Sequence, residues 1–197
     1  MYLTTRIDQF DLSAALATVS EQRREHAMRY RQEHDQRLSI AAYHLLQQAL
    51  REEYGIDEAP WFDFGINGKP FLRDHPDIYF SMSHCHEAAA CAIGNRPVGI
   101  DVESLDSYDE SLIPSTMNDD EQAEILSSPN PPLAFLRLWT MKESYLKTTG
   151  EGIPNDIRTV LTSPSFNPHL YQFRTTIYPQ FVCTLCKETE ISDNLDL

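Results

Sequence analysis

The pattern of hydrophobic positions changes its period several times along the chain. Over residues 20–54 apolar side chains recur at three- and four-residue steps, which predicts helix, with a break near His34 and an end at Gly55. A second helical pattern covers residues 133–149 and ends at Gly150. A short helix is expected at 118–126, opened by Asn118 and Glu121. Alternating or short apolar runs predict strands at 2–7, 78–83, 88–93, 98–103, 158–162, 170–177 and 181–186.

This order of helix, strands, helix and strands predicts an α+β fold of two similar halves, each a helix on a small antiparallel sheet, with the active site between them. The halves are expected at residues 1–103 and 104–197. The strands at 78–83, 88–93 and 98–103 are expected to form a meander. Its first and third strands would end at one edge and bring Ser83 and His84 to Glu103. The acidic tail after Lys187 is expected to be frayed.

Charge and hydropathy exclude several classes of protein. The 197 residues carry a formal charge of −14, which argues against nucleic-acid binding. Arginines cluster between Arg23 and Arg37, whereas residues 97–136 contain acids but no Lys or Arg. Such a chain can hold a polyanion at one end and a cation at the other. No apolar run approaches the ~18 residues of a membrane span, and the opening residues do not resemble a secretory signal, so a soluble, cytoplasmic protein is expected.

The cysteines give no further site. Four cysteines in a chain of this size do not form a disulfide framework. Cys183 and Cys186 have the C-x-x-C spacing, and a redox pair or a zinc site shared with His84 and His86 is the alternative. They lie in an apolar run that reads as a buried strand, so free, buried thiols are the better interpretation.

Residues 97–103 carry the main candidate chemistry. Val98, Ile100 and Val102 share one face of the predicted strand, and Asp101 and Glu103 share the other, about 6.6 Å apart. Two carboxylates at this spacing suit a hard cation such as Mg²⁺, and Gly99 would leave room for a bulky group beside the ion. The alternative is a strand with a solvated acidic face.

The helix at 133–149 offers a second chemical edge. Trp139, Glu143 and Lys147 step by four residues and point largely away from its apolar face. The alternative is an ordinary Glu–Lys pair beside an interface tryptophan.

Lys69 precedes Pro70, which favours an extended backbone suited to a phosphate contact, although a solvated loop lysine would look the same. A Ser–His hydrolase is disfavoured, because Ser83 and His84 are adjacent and no Gly-x-Ser-x-Gly elbow exists.

Four segments together resemble one family. Gly-Lys-Pro at 68–70, Phe-Ser-Met-Ser-His at 80–84, Val-Gly-Ile-Asp-Val-Glu at 98–103 and Leu-Trp-Thr-Met-Lys-Glu-Ser-Tyr-Leu-Lys at 138–147 are similar to the 4′-phosphopantetheinyl transferases of the surfactin-synthetase type. The similarity extends from about residue 23 to residue 152. Cys85 stands where the family frequently has serine.

The resemblance implies a function and a set of site residues. These enzymes move phosphopantetheine from coenzyme A to a serine of an apo acyl or peptidyl carrier protein and release adenosine 3′,5′-bisphosphate. The carrier would serve fatty-acid, polyketide or nonribosomal-peptide synthesis. Carried over by resemblance, the metal ligands for Mg²⁺, or Mn²⁺, would be Asp101, Glu103 and Glu143. The coenzyme A phosphates would be met by Lys147, Lys69, Ser83 and His84, and the 3′-phosphate by Arg37. Glu143, or a water, would accept the serine proton, with Lys147 beside it.

Two other functions fit the same residues. A metal-dependent hydrolase of nucleotide diphosphates would use the same carboxylates with water as the nucleophile. A catalytically idle module would bind coenzyme A or a carrier without transfer, although the complete set of acids and Lys147 argues against it. Because the chain is acidic, a local apolar or basic patch is expected to dock an acidic carrier, and residues 104–118 are the candidate.

Overall fold

The computed structural model describes residues 1–152 and 154–189, and these fold as six α-helices and small antiparallel sheets. The α+β class is confirmed. The helices are α1 Leu12–Thr18, α2 Glu21–Ala27, α3 Glu33–Tyr54, α4 Ile113–Thr116, α5 Asp119–Ser127 and α6 Pro131–Thr149. The strands are β1 Tyr2–Thr4, β2 Phe62–Phe64, β3 Pro70–Leu72, β4 Tyr79–His84, β5 Ala89–Gly94, β6 Val98–Ser104, β7 Tyr171–Ile177 and β8 Phe181–Glu188.

The first half of the chain packs α3 on a sheet of order β1-β5-β4. The apolar stripe of α3 is buried, with Ile40, Leu46 and Leu50 inaccessible to solvent or nearly so. Gly55 ends the helix with φ of 69°, a left-handed conformation that glycine adopts without a steric penalty. The predicted break in the helical region is confirmed, since residues 28–32 separate α2 from α3.

The second half repeats this arrangement with α6 on a sheet of order β6-β8-β7. The helix ends at Gly150 with φ of 72°, as its sequence predicted. The capping box of α5 is also confirmed, because Asn118 and Glu121 exchange side-chain-to-backbone hydrogen bonds.

The predicted meander is wrong. β4 and β5 pair as expected, but β6 pairs with β8, which lies about 80 residues further along the chain. The change of sheet therefore falls between β5 and β6, one strand before the expected boundary at residue 103. Alternation identifies a strand without identifying its partner, and β8, with eight residues, offers β6 a longer partner than the six-residue β5.

Serine hydroxyls connect the two sheets where β4 and β6 meet. The backbone N–H of Ile100 donates to Ser81 Oγ at 3.1 Å, and that of Val102 donates to Ser83 Oγ at 3.3 Å. The Ser-Met-Ser spacing of β4 matches the alternate N–H groups of β6. Ser83 therefore reaches the acidic strand as predicted, although the two strands belong to different sheets.

Three smaller predictions are corrected. Residues 158–162 are not a strand, because Ile157–Thr159 forms a 3₁₀ turn. The predicted loop at 60–70 contains β2 and the start of β3, which pair as a hairpin. The tail was expected to fray after Lys187, but β8 continues to Glu188; residues 190–197 lie outside the described part of the chain.

Within the described ranges, all four cysteines are free and buried, as expected, and no helix is both long and apolar enough to cross a bilayer.

β6 is buried on both faces rather than on one. Val98, Ile100 and Val102 pack into an apolar cluster, and α6 covers the opposite face, where Asp101 is only 3% exposed. Gly99 does not leave space for a ligand. A Cβ at Gly99 would lie 2.0 Å from the Ser144 carbonyl oxygen and 2.6 Å from the Thr148 nitrogen. Glycine is therefore required because the backbone of α6 lies against β6.

We predict that Gly99→Ala destabilises the fold, because the helix backbone must move away from the strand. The free energy of unfolding should fall by about 1–3 kcal/mol or more, measured by urea denaturation. Gly94→Ala is the matched control, since its Cβ would meet only ordinary contacts, the nearest at 3.8 Å. Equal stability of the two variants would show that α6 does not pack on β6 in this way.

Candidate active site

A cleft of about 290 Å³ lies between the two halves. The first half contributes the β2–β3 hairpin and β4 to its lining, and the second half contributes the last turns of α6. Its lining residues are Asn67, Gly68, Lys69, Pro70, Phe80, Ser81, Met82, Glu143, Leu146, Lys147, Gly150 and Gly152. The cleft is mainly apolar, with two lysines and one carboxylate among its polar groups.

Asp101 is bonded to two other elements beside this cleft. Its Oδ1 accepts hydrogen bonds from Lys147 Nζ at 2.6 Å and from Ser83 Oγ at 3.0 Å. Lys147 Nζ also donates to Ser83 Oγ at 3.1 Å. One buried carboxylate on β6 is thus tied to α6 and β4, and three of the predicted site residues are brought together.

Glu103 and Glu143 lie within the electrostatic field of Asp101. Burial raises the pKa of Glu103 above its ordinary value, and the negative charge of Asp101 raises it further. The pKa of Glu143 is raised by the same two causes, whereas Lys147 lowers it. Glu103 Oε1 accepts a hydrogen bond from Trp139 Nε1 at 3.1 Å, so the tryptophan orients a carboxylate. The negative charge of Asp101 thus opposes the ionisation of both glutamates.

The donor set suits a hard divalent cation. Asp101 Oδ2 is buried and has no hydrogen-bond partner, so one oxygen of the most buried acid is available as a ligand. All three acids offer oxygen, the ligand atom that Mg²⁺ and Mn²⁺ prefer. In residues 1–152 and 154–189 no group of three or more His, Cys, Asp or Glu side chains is already gathered for a metal ion. The Lys147 ammonium neutralises Asp101 in this arrangement.

Lys69 and His84 lie at the edges of the site. Lys69 lines the cleft, and its Nζ donates to the Thr148 carbonyl oxygen at 2.7 Å, near the C-terminal end of α6. Burial lowers the pKa of Lys69. Burial lowers the pKa of His84 as well, and the nearby positive charges of Arg23 and Lys147 lower it further. His84 is therefore mainly neutral at pH 7 and would gain a proton more readily beside a bound anion.

Arg37 is not brought together with the other predicted residues. Its guanidinium donates to the Phe10 carbonyl oxygen at 2.6 Å and forms an ion pair with Glu33 at 2.7 Å. It also lies 5.4 Å from the centre of the Phe10 ring. These contacts connect the start of α3 to the segment before α1, and a role for Arg37 at a phosphate stays a prediction.

Sequence reasoning missed a second group of cationic residues. Arg23, His26 and Arg29 line another cavity of about 290 Å³, which shares Pro70 and Met82 with the cleft. Burial lowers the pKa of Arg23 to about 10, still high enough to keep it charged at pH 7. The arginine cluster was visible in the sequence. The sequence did not show that Arg23 faces inward, because the packing of Arg23 over Tyr43 depends on how α2 docks on α3.

Comparisons with known proteins show which sequences this chain is similar to. A family model described as 4′-phosphopantetheinyl transferase superfamily matches residues 97–189, which contain β6, α6 and all three acids. The chain is 33% identical over 138 residues to "4′-phosphopantetheinyl transferase psf-1" of Bacillus pumilus, covering 68% of this chain and 59% of the relative. It therefore spans less than two thirds of that protein.

Two other relatives are covered more fully. The chain is 28% identical over 204 residues to "4′-phosphopantetheinyl transferase gsp" of Aneurinibacillus migulanus, covering 97% of this chain and 85% of the relative. It is 25% identical over 175 residues to "4′-phosphopantetheinyl transferase Sfp" of Bacillus subtilis (strain 168), covering 87% and 75%. The family model and these relatives support the 4′-phosphopantetheinyl transferase superfamily for this chain, which resembles the surfactin-synthetase-activating type.

Proposed function

We propose that this protein transfers the 4′-phosphopantetheine group of coenzyme A to a serine of an apo carrier protein and releases adenosine 3′,5′-bisphosphate. The observation that carries the proposal is the cluster of Asp101, Ser83 and Lys147 beside a cleft between the two halves. The names of the relatives support the same reaction. Acyl, peptidyl and aryl carrier domains share the acceptor serine and are the proposed partners.

Asp101, Glu103 and Glu143 would hold Mg²⁺ or Mn²⁺. The unpartnered Asp101 Oδ2 and the raised pKa values of both glutamates support this assignment, because each acid gains stability from a nearby cation. When bound, the ion would neutralise charge on the diphosphate of coenzyme A.

The cationic residues around the cleft are suited to the phosphates. Lys147 would contact the diphosphate, since its ammonium already lies between Asp101 and Ser83. Lys69 and His84 would contribute further donors, and a phosphate beside His84 would favour its protonated form. Arg23 lies close enough to His84 to affect its pKa and would add positive charge on the same side. The Ser83 hydroxyl would orient Lys147 towards the substrate.

Glu143 is the proposed general base. In the transfer, the carrier serine oxygen forms a bond to the phosphorus that bears the pantetheine arm. The bond from that phosphorus to the bridging oxygen breaks, and the nucleotide leaves with the electron pair. The serine proton would pass to Glu143, directly or through a water. Burial and Asp101 raise the pKa of Glu143, but a bound cation would lower it again, so a water remains the alternative proton acceptor.

We predict that Glu143→Gln cuts turnover by ~10²-fold or more and leaves coenzyme A affinity within about tenfold, because the amide cannot accept the proton. Transfer is measured as the mass gain of intact apo carriers from several pathways, incubated with coenzyme A and Mg²⁺. Glu124→Gln is the matched control, since Glu124 is an exposed acid on α5.

Three outcomes would contradict the proposal. Wild-type turnover in Glu143→Gln would remove Glu143 from the chemistry. Rapid release of phosphopantetheine from coenzyme A without a carrier would favour a hydrolase. Binding of coenzyme A with no mass gain on any carrier would favour an idle binding module.

We predict that Glu143→Gln stabilises the fold at pH 7.5 without divalent ions. A raised folded-state pKa means that folding favours the protonated acid, so the charged form lowers stability above that pKa. Each kcal/mol relieved should raise Tm by about 2–4 °C. The advantage should disappear as the pH falls towards ~4.5, the ordinary carboxyl value, because the wild-type acid is then neutral.

Differential scanning fluorimetry of both proteins in EDTA between pH 4 and pH 8 measures this effect. If Glu143→Gln melts at a lower temperature than wild type at pH 7.5 and the two converge at low pH, the charged carboxylate is stabilising and the repulsion argued for the site is absent.

A further inference from the structure

Lys142 lies beside Glu143 on α6 but faces away from the cleft. Its side chain is fully buried, and its Nζ donates to Glu121 Oε2 at 2.7 Å and to the Thr116 carbonyl oxygen at 2.9 Å. Weaker contacts reach the carbonyl oxygens of Ile157 at 3.3 Å and Arg158 at 3.2 Å. A buried ammonium has a large desolvation penalty, and an apolar side chain of similar volume is often at least as stable. Stability alone therefore does not explain this lysine.

Lys142 connects α6 to the segment that follows β6. We call residues 105–116 the rim; it follows β6 directly and ends in α4. At its near end, the single hydroxyl proton of Ser107 is shared between the Ser104 carbonyl oxygen at 2.7 Å and Glu103 Oε2 at 3.4 Å. At its far end, the Thr116 carbonyl oxygen is held by Lys142. The rim is therefore fixed at one end on a site carboxylate and at the other on the buried cation.

The same lysine restrains the rotation of α6. The side chains of successive residues in an α-helix project about 100° apart around the helix axis. Fixing Lys142 on one side of α6 therefore fixes the direction in which Glu143 points. Glu121 itself is held by α5, because its side chain accepts from the Asn118 N–H at 2.8 Å. The anchor for α6 is thus part of a capped helix rather than a loose surface group.

We propose that Lys142 is a positioning residue, which acts through α6 on Glu143 and through the rim on Glu103. It keeps both carboxylates directed at the site of Asp101. The expected loss of transfer activity rests on the proposed function. The expected changes in Mn²⁺ binding and in amide exchange do not require transfer.

The test uses Lys142→Met combined with Glu121→Gln. The single change Lys142→Met would leave Glu121 buried without its cation and is expected to unfold at a lower temperature. The double change removes both charges, and the glutamine oxygen can still cap Asn118. The double variant should therefore melt near wild type and still show the loss of positioning.

Three measurements separate positioning from stability. Mn²⁺ binding, followed by electron paramagnetic resonance without substrate, should weaken by about 10–100-fold in the double variant. Amide hydrogen exchange in the rim should be faster. The kcat for transfer should fall by a similar factor of about 10–100, while the KM for coenzyme A stays within about twofold.

Arg137→Met is the matched control, because Arg137 is an exposed cation on α6, and it should behave as wild type. Should the double variant fail to fold, Ser107→Ala tests the rim alone, since Ser107 is exposed; Mn²⁺ binding should weaken. A folded double variant, or Ser107→Ala, with wild-type Mn²⁺ affinity would overturn the proposal. Mn²⁺ binding and exchange do not depend on transfer, so failure of the proposed function remains a separate result.

Discussion

The contact of Asp101 with Lys147 and Ser83 is the interaction on which the rest of the structure depends. It joins β6, α6 and β4, three elements that come from both halves of the chain, and its shortest distance is 2.6 Å between the Lys147 ammonium and the carboxylate. Each partner satisfies a polar group that would otherwise be buried alone.

The negative charges around Asp101 are not balanced by positive charges on the residues that contact it. One ammonium serves Asp101, while Glu103 and Glu143 are partly buried in the field of the same acid, and the pKa of each is raised. Under the proposed function, these negative charges would oppose the binding of an anionic nucleotide, and a cation would remove that opposition. A divalent ion would therefore do two things at once: it would stabilise the acids and attract the diphosphate. The acidic chain and an anionic substrate are compatible for this reason.

Much of the architecture was predictable because it depends on local patterns. The ends of α3 and α6 followed from glycines, the α5 cap from Asn118 and Glu121, and β6 from alternation. The partner of β6 was not predictable, since the alternation in a strand does not identify its neighbour. Both faces of β6 are buried because α6 covers the acidic side, a tertiary effect that the strand pattern cannot contain.

At the site, too, local patterns were predictable from the sequence and tertiary packing was not. The strand and helix periods predict which side chains share a face, as for Asp101 with Glu103 and for Glu143 with Lys147. The grouping of Glu143 with the two strand acids came from the family resemblance and stays a prediction. The arginines were harder to assign. Arg37 pairs with Glu33 one helical turn earlier, whereas Arg23 is partly buried and close enough to His84 to lower its pKa. Choosing between them requires knowing how α2 packs on α3.

The central claim is that the three acids bind an anionic nucleotide only through a shared cation. Isothermal titration calorimetry of coenzyme A, with Mg²⁺ and with EDTA, tests this claim most directly in wild type and in Asp101→Asn. The account predicts that Mg²⁺ tightens binding by about tenfold or more in wild type, about 1.4 kcal/mol, and has little effect in the variant. Equal affinity with and without Mg²⁺ in the wild-type protein would contradict it.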